Sequence, residues 1–341
     1  MSVATVVTED IHPSVLGCVG NTPLVALDRL FPEVDVEVLG KLELMNPGGS
    51  MKDRPARHII ESGLADGSIP LGSHLIESSS GNFGIALAIA ARLHQLRFTC
   101  VVDPKATSAN VRIMRQLGAS VEVVTEPDAN GGYLHTRIAR VRQLAAQTPN
   151  SVWINQYANA RNWQSYYHGL GGELADQLTR PPDYLFAAVS TTGSILGSAR
   201  RLRERFGTLR VVAVDAQGSV IFGGSPGPRH LPGIGSSRVP ELLNRNEIDD
   251  VVHIPDVEAA HACRQLLASE GIFAGGSSGS VIAAIAKTLP RLPRPCRIVA
   301  VLADRGDRYL DLVYDDQWLA SLDDPASRDI AASLEDDAAH G

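Results

Sequence analysis

The sequence predicts an α/β protein built from open, twisted, mainly parallel sheets, each covered by helices. Two observations predict it: strand-like runs that are apolar throughout, and amphipathic helical segments set between them. A third is the recurrence of Gly, Ser, Thr and Asn where a strand hands over to a helix, the place where open parallel sheets bind ligands.

Taken in order, residues 36–44 read as a strand entering the loop Asn46-Pro47-Gly48-Gly49-Ser50. A helix follows over about 51–65, with Asp53 in its first turn. A short strand at 74–78 feeds Ser79-Ser80-Gly81-Asn82 and a helix at 84–93. Strands at 98–103 and 121–124 enclose a helical stretch after Thr107. Residues 184–189 feed Ser190-Thr191-Thr192-Gly193-Ser194 and another helix, and 211–215 is the next strand. Helices at 257–269 and 281–289 flank a loop, Gly275-Gly276-Ser277-Ser278-Gly279, and 298–303 closes as a strand. A length of 341 residues suits two such sheets, divided near 150–163, with no internal repeat. Beyond Leu319 the chain turns rich in Asp, Ala and Ser, and 320–341 reads as a mobile tail.

Composition narrows the function. A net charge of −7 argues against a nucleic-acid or anionic-membrane surface, and 44% hydrophobic residues provide for a substantial core. No apolar run reaches membrane-spanning length, and the opening MSVATVVTEDIHP lacks the basic stretch of a signal peptide. Cys18, Cys100, Cys263 and Cys296 lie far apart, three of them among apolar neighbours, with no metal-ligand spacing. The expectation is a cytoplasmic protein with no metal.

Ser190, Thr191, Thr192, Gly193 and Ser194 form the best anion cradle, combining short hydroxyls with free amides at a helix start. Helix capping explains any single loop of this kind, but several in one chain point to a phosphorylated ligand. Neither a P-loop nor a dinucleotide fingerprint is present. Lys52 opens a helix after Ser50-Met51, an unfavourable place for a cation. A surface lysine paired with Asp53 and a partly neutral Schiff-base amine stand about even on residue chemistry alone.

Asn21-Thr22-Pro23-Leu24, Asn46-Pro47-Gly48-Gly49-Ser50-Met51-Lys52-Asp53-Arg54 and Ser79-Ser80-Gly81-Asn82 resemble the cysteine synthase family, pyridoxal-phosphate enzymes of fold type II. The resemblance runs collinearly over about 14–319, and the lysine motif is highly specific. Within the family it is closest to the branch that opens siderophore-type 2,3-diaminopropionate synthesis, through 101–105, 131–138, 153–159, 163–169, 218–222, 231–244 and 304–314.

The resemblance implies pyridoxal 5'-phosphate carried on Lys52, with Asn82 at its ring hydroxyl. Ser190, Thr191, Thr192, Gly193 and Ser194 would hold its phosphate, and Ser277 would face its pyridine nitrogen. Ser79, Ser80, Gly81 and Gln156 match positions that bind a substrate carboxylate. It also implies a smaller unit, 52–155, that moves on substrate binding, a larger one of 14–51 with 156–319, and a homodimer. Two departures put O-acetylserine and sulfide in doubt: Phe83 stands for a threonine, adding bulk to the substrate loop, and Ser190-Thr191-Thr192 stands for a more glycine-rich cradle.

Members of the diaminopropionate branch join O-phosphoserine to glutamate, which are more anionic and call for extra cations. Arg137 and Arg238 are the candidates, since a guanidinium binds phosphate or carboxylate bidentately. A solvated helix arginine beside Arg140 is nearly as good an account of Arg137. Tyr157 could line the same pocket, with a core tyrosine equally good. His135 and His168 read as structural. Three other readings stay open: ordinary cysteine synthase, a direct synthesis of 2,3-diaminopropionate from ammonia, and a catalytically silent subunit that binds a phosphate ligand.

Overall fold

The computed structural model describes residues 11–128 and 132–322. Its strands are β1 (Leu24–Ala26), β2 (Val36–Leu42), β3 (His74–Ser78), β4 (Arg97–Val102), β5 (Ser120–Val123), β6 (Ser151–Trp153), β7 (Tyr184–Ala188), β8 (Arg210–Ala216), β9 (Asp250–Ile254) and β10 (Cys296–Leu302). Its helices are α1 (Asp53–Asp66), α2 (Asn82–Leu93), α3 (Ser108–Gln116), α4 (Leu134–Gln147), α5 (Ala160–His168), α6 (Leu170–Gln177), α7 (Gly193–Phe206), α8 (Asp256–Glu270), α9 (Gly276–Thr288) and α10 (Asp316–Leu322).

The strands form two sheets. One has six strands in the order β1-β2-β10-β7-β8-β9, and the other has four in the order β5-β4-β3-β6. Every pairing is parallel except β1 with β2. Continuous apolar runs are required because each sheet is buried on both faces. In β10, Ile298, Ala300 and Leu302 enter one apolar cluster, while Val299 and Val301 enter another across the sheet. In the smaller sheet, Cys100 and Val102 face one cluster and Val101 the other. This is the two-residue period of a strand.

Helix boundaries follow local chemistry. Thr107 caps α3, its hydroxyl accepting from the Asn110 amide, and Asn159 caps α5 by accepting from the Arg161 amide. Gly67 ends α1 with φ +80°, a conformation costly to other residues. One boundary corrects the sequence reading. The segment 275–279 is not a loop, because α9 starts at Gly276. Packing accounts for it: a Cβ on Gly279 would lie 2.1 Å from the Ala259 carbonyl of α8, so small residues let the two helices touch. Phe83 is a second correction. It is buried in the apolar cluster of the four-stranded sheet, so its bulk goes into the core.

Cys100, Cys263 and Cys296 are buried and Cys18 is exposed. Among the described residues no helix is long and apolar enough to cross a membrane, and no cluster of His, Cys, Asp and Glu could hold a metal. Of the expected tail, 320–322 belong to α10, and 323–341 lie outside the described residues. So do residues 1–10 of the opening segment and Gly131 at the head of the 131–138 stretch.

Candidate active site

Lys52 immediately precedes α1 with helical backbone angles, and its amide donates to the Ser50 hydroxyl. It makes no ion pair among the described residues, which removes the reading of a surface lysine paired with Asp53. Asp53 instead turns back to accept from the Gly48 amide, closing the 46–50 loop. Burial lowers the Lys52 amine to about 8, against the opposing charge of Asp304. Near neutrality a useful fraction of this amine is therefore unprotonated.

Two residues after Lys52, Arg54 anchors the turn in a buried ion network. Its guanidinium meets Glu43 at 2.5 and 2.7 Å and Glu173 at 2.7 and 2.8 Å. Lys41 joins from β2, bonding Glu173 at 2.7 Å and the Thr22 carbonyl at 2.7 Å.

The 79–82 loop lies at the start of α2. The Ser79 hydroxyl accepts from the Gly84 amide at 3.0 Å, a capping role within the candidate substrate loop. Arg137, from α4, donates to the Ser80 hydroxyl at 2.6 Å and pairs with Asp103 at 3.2 Å. Its Nε is buried without a partner, so one strong donor remains to be satisfied. The structure thus brings Arg137 to the loop, whereas Arg140 pairs with Glu122.

Thr191, Thr192, Gly193 and Ser194 are buried at the start of α7, with Ser190 partly exposed beside them. Thr192 has φ +64°, unusual for a β-branched residue, and its hydroxyl is buried with no partner. A Cβ on Gly193 would come within 2.6 Å of the Asn162 side-chain oxygen, so any larger residue here would have to displace Asn162. Strained backbone, an orphaned hydroxyl and helix N-terminal amides are the features an anion would satisfy. Together with the Lys52 amine, they fit a group carrying both a phosphate and an aldehyde.

Gln156 follows β6, and Asn162 links it to the cradle, donating to the Gln156 carbonyl at 2.7 Å and the Thr191 hydroxyl at 3.1 Å. Arg238 lies over the Tyr157 ring, 5.2 Å from its centroid, and also pairs with Glu241. Ser277 is buried in the first turn of α9.

Sequence reasoning missed Asp304. It is buried at the end of β10, where Asn82 donates to it at 2.6 Å and the Tyr309 hydroxyl also bonds it. Burial raises its carboxyl, opposed by those two bonds and by the charges of Arg308 and Lys52. Arg308, equally missed, donates to the Asn82 carbonyl oxygen and the Gly48 carbonyl. Asn82 is thereby held at both ends of its amide. The available signal was an acid just after a buried strand, at the ligand-binding end of a parallel sheet.

A family model described as "Pyridoxal-phosphate dependent enzyme" matches residues 15–304. The N-(2-amino-2-carboxyethyl)-L-glutamate synthase of Ralstonia nicotianae is 61% identical over 312 residues, covering 92% of each chain. The solved O-acetylserine-dependent cystathionine β-synthase of Helicobacter pylori is similar at TM-score 0.83 and 33% identity, over 89% of this chain and 98% of that one. An O-ureido-L-serine synthase variant with O-ureido-L-serine bound is similar at TM-score 0.83 and 31% identity, over 92% and 99%.

Proposed function

Because this chain belongs to the pyridoxal-phosphate-dependent enzyme family, we propose that it catalyses a β-replacement joining O-phospho-L-serine and L-glutamate. The products are N-(2-amino-2-carboxyethyl)-L-glutamate and phosphate. The bond from Cβ to the phosphate oxygen breaks, and one from glutamate's amino nitrogen to Cβ forms. The reaction would be the first step towards L-2,3-diaminopropionate for a siderophore or related product. Arg137 carries the reading, because its guanidinium touches the Ser80 loop and retains a buried, unpartnered donor suited to a phosphorylated substrate. The name of the Ralstonia relative gives the same product, which supports glutamate as the acceptor.

In this reading Lys52 would carry the coenzyme, and Ser190, Thr191, Thr192, Gly193 and Ser194 would take its phosphate. Asn82, aimed by Asp304 and Arg308, would meet the ring hydroxyl, and Ser277 would meet the pyridine nitrogen. A hydroxyl at that nitrogen, rather than an acid, need not protonate the ring. The bound coenzyme supplies the electron sink for loss of the α-proton. The Lys52 amine takes that proton as general base and later returns it, roles suited to an amine lowered to about 8. Ser79, Ser80, Gly81 and Gln156 bind the α-carboxylate, Arg137 the leaving phosphate, and Arg238 with Tyr157 the incoming glutamate. Residues 52–155 close over the substrates and exclude water. Solution scattering with and without substrate tests that closure, and an unchanged profile counts against it.

The decisive experiment incubates reconstituted enzyme with phosphoserine and glutamate and identifies the product by mass. Cysteine from O-acetylserine and sulfide, or 2,3-diaminopropionate from ammonia, in its place overturns the assignment. A protein that never gains coenzyme absorbance is a silent binding subunit. Arg137→Gln is expected to raise the KM for phosphoserine about tenfold or more, with the KM for glutamate little changed. Steady-state kinetics with each substrate varied in turn checks the split.

A further inference from the structure

Glu77 is the one carboxylate in β3, and it is 2% exposed in the middle of the four-stranded sheet. A buried carboxylate is costly unless donors satisfy it. Here the donors include backbone amides of the two candidate substrate-binding segments. One oxygen accepts from the Ser78 amide at 2.6 Å, next to Ser79, and the other from the Gln156 amide at 3.1 Å. Gln156 completes the ring by donating its side-chain amide to the Ser78 carbonyl at 3.2 Å.

The backbone explains why a side chain is needed there. Pairing of β3 with β6 ends at Ile76 and Trp153, and one more bond joins the Ile154 amide to the Ile76 carbonyl. Asn155 then turns with φ +51°, breaking the ladder. The Gln156 amide loses its strand partner, and the Glu77 carboxylate takes that place. Burial raises the Glu77 carboxyl to about 7, opposed by the two backbone amides, the Trp153 side chain and the positive charge of Arg137.

We infer that Glu77 is the positioning residue that sets the 79–81 loop and Gln156 at the spacing needed to grip one substrate carboxylate. The inference rests on the reading of that site proposed above and deepens it. Glu77 touches no substrate. It works through the two backbone segments, so removing one acceptor loosens substrate binding without unseating the coenzyme.

The test uses holoenzyme carrying Glu77→Gln, which keeps the shape but leaves only one acceptor oxygen. Titration with phosphoserine, followed by the coenzyme's absorbance, is expected to show Kd raised about tenfold, with coenzyme content and the KM for glutamate unchanged. Glu77→Asp keeps the carboxyl group but is too short to span both amides. It is expected to weaken phosphoserine binding several-fold, and it decides the matter if the glutamine variant does not fold. A donor Kd within about twofold of wild type in the variant that folds overturns the inference. Equal weakening of both substrates together with coenzyme loss also overturns it, because that is the signature of general destabilisation. An L-serine titration separates this outcome from failure of the proposed reaction. Serine carries the same α-carboxylate, so it reads Glu77 even if phosphoserine and glutamate are not the physiological pair.

Discussion

Lys52→Ala is expected to lower turnover by at least about 10³-fold while leaving the protein folded. The side chain makes no ion pair among the described residues and no helix-capping bond, so its removal takes little from the fold. What disappears is the amine proposed to carry the coenzyme and move the α-proton. Borohydride should fix pyridoxal phosphate to the Lys52 peptide in the wild type and to no peptide in the variant. Retained fixation at another lysine, with turnover preserved, would overturn the assignment. The same amine sets a pH dependence in protein stripped of coenzyme. Its neutral form is the nucleophile, so the rate of coenzyme attachment should rise with pH and level off above about 8. Asp304 opposes the lowering, so Asp304→Asn should move the midpoint further down. Stopped-flow absorbance at a series of pH values measures both.

The largest effect on stability is expected from Arg54→Met, at about 3–5 kcal/mol. Glu43 has a fully buried side chain, and Glu173 is mostly covered. Removing the guanidinium leaves both carboxylates short of their main partner, and methionine offers packing but no donor. Urea unfolding with tryptophan fluorescence reads the loss. Because Arg54 lies two residues from Lys52, coenzyme affinity should fall with it. A change below about 1 kcal/mol would mean that the network contributes little net stability.

The network also predicts an acid limb. Burial alone would raise the Glu173 carboxyl, but hydrogen bonds and charges from Arg54 and Lys41 outweigh it and hold it at about 2, below the usual 4.5. A lowered carboxyl contributes stability above its unfolded value and loses it as pH falls through the folded one. The advantage of wild type over Glu173→Gln should therefore be full above pH 4.5 and vanish towards pH 2. Thermal denaturation of the two proteins across that range checks the convergence.

Much of this was legible locally. Continuous apolar runs between amphipathic segments carry the mark of sheets buried on both faces, because a strand's two-residue period exposes each face in turn. Lys52 and the 190–194 cluster stand out as candidates for a similar reason. A cation at a helix start and an accumulation of short hydroxyls before a helix are anomalies of neighbouring residues, visible without knowledge of what lies opposite. The start of α9 was not legible. Gly276, Ser277, Ser278 and Gly279 favour loops by propensity, and only the close approach of α8 makes small residues the right helix formers there.

What the sequence by itself determined was the class of fold, and it marked a candidate reactive amine and a candidate anion cradle, each carried by residues adjacent in the chain. Only the tertiary structure decided how the site is held. Asp304 and Arg308 reach Asn82 across more than two hundred residues, Glu77 meets Gln156 across 79, and Arg137 meets Ser80 across 57. A charge is read in a sequence as a solvated side chain until its partners are known. Burial is what turns these charges into fixed supports, and burial is a property of the assembled sheets.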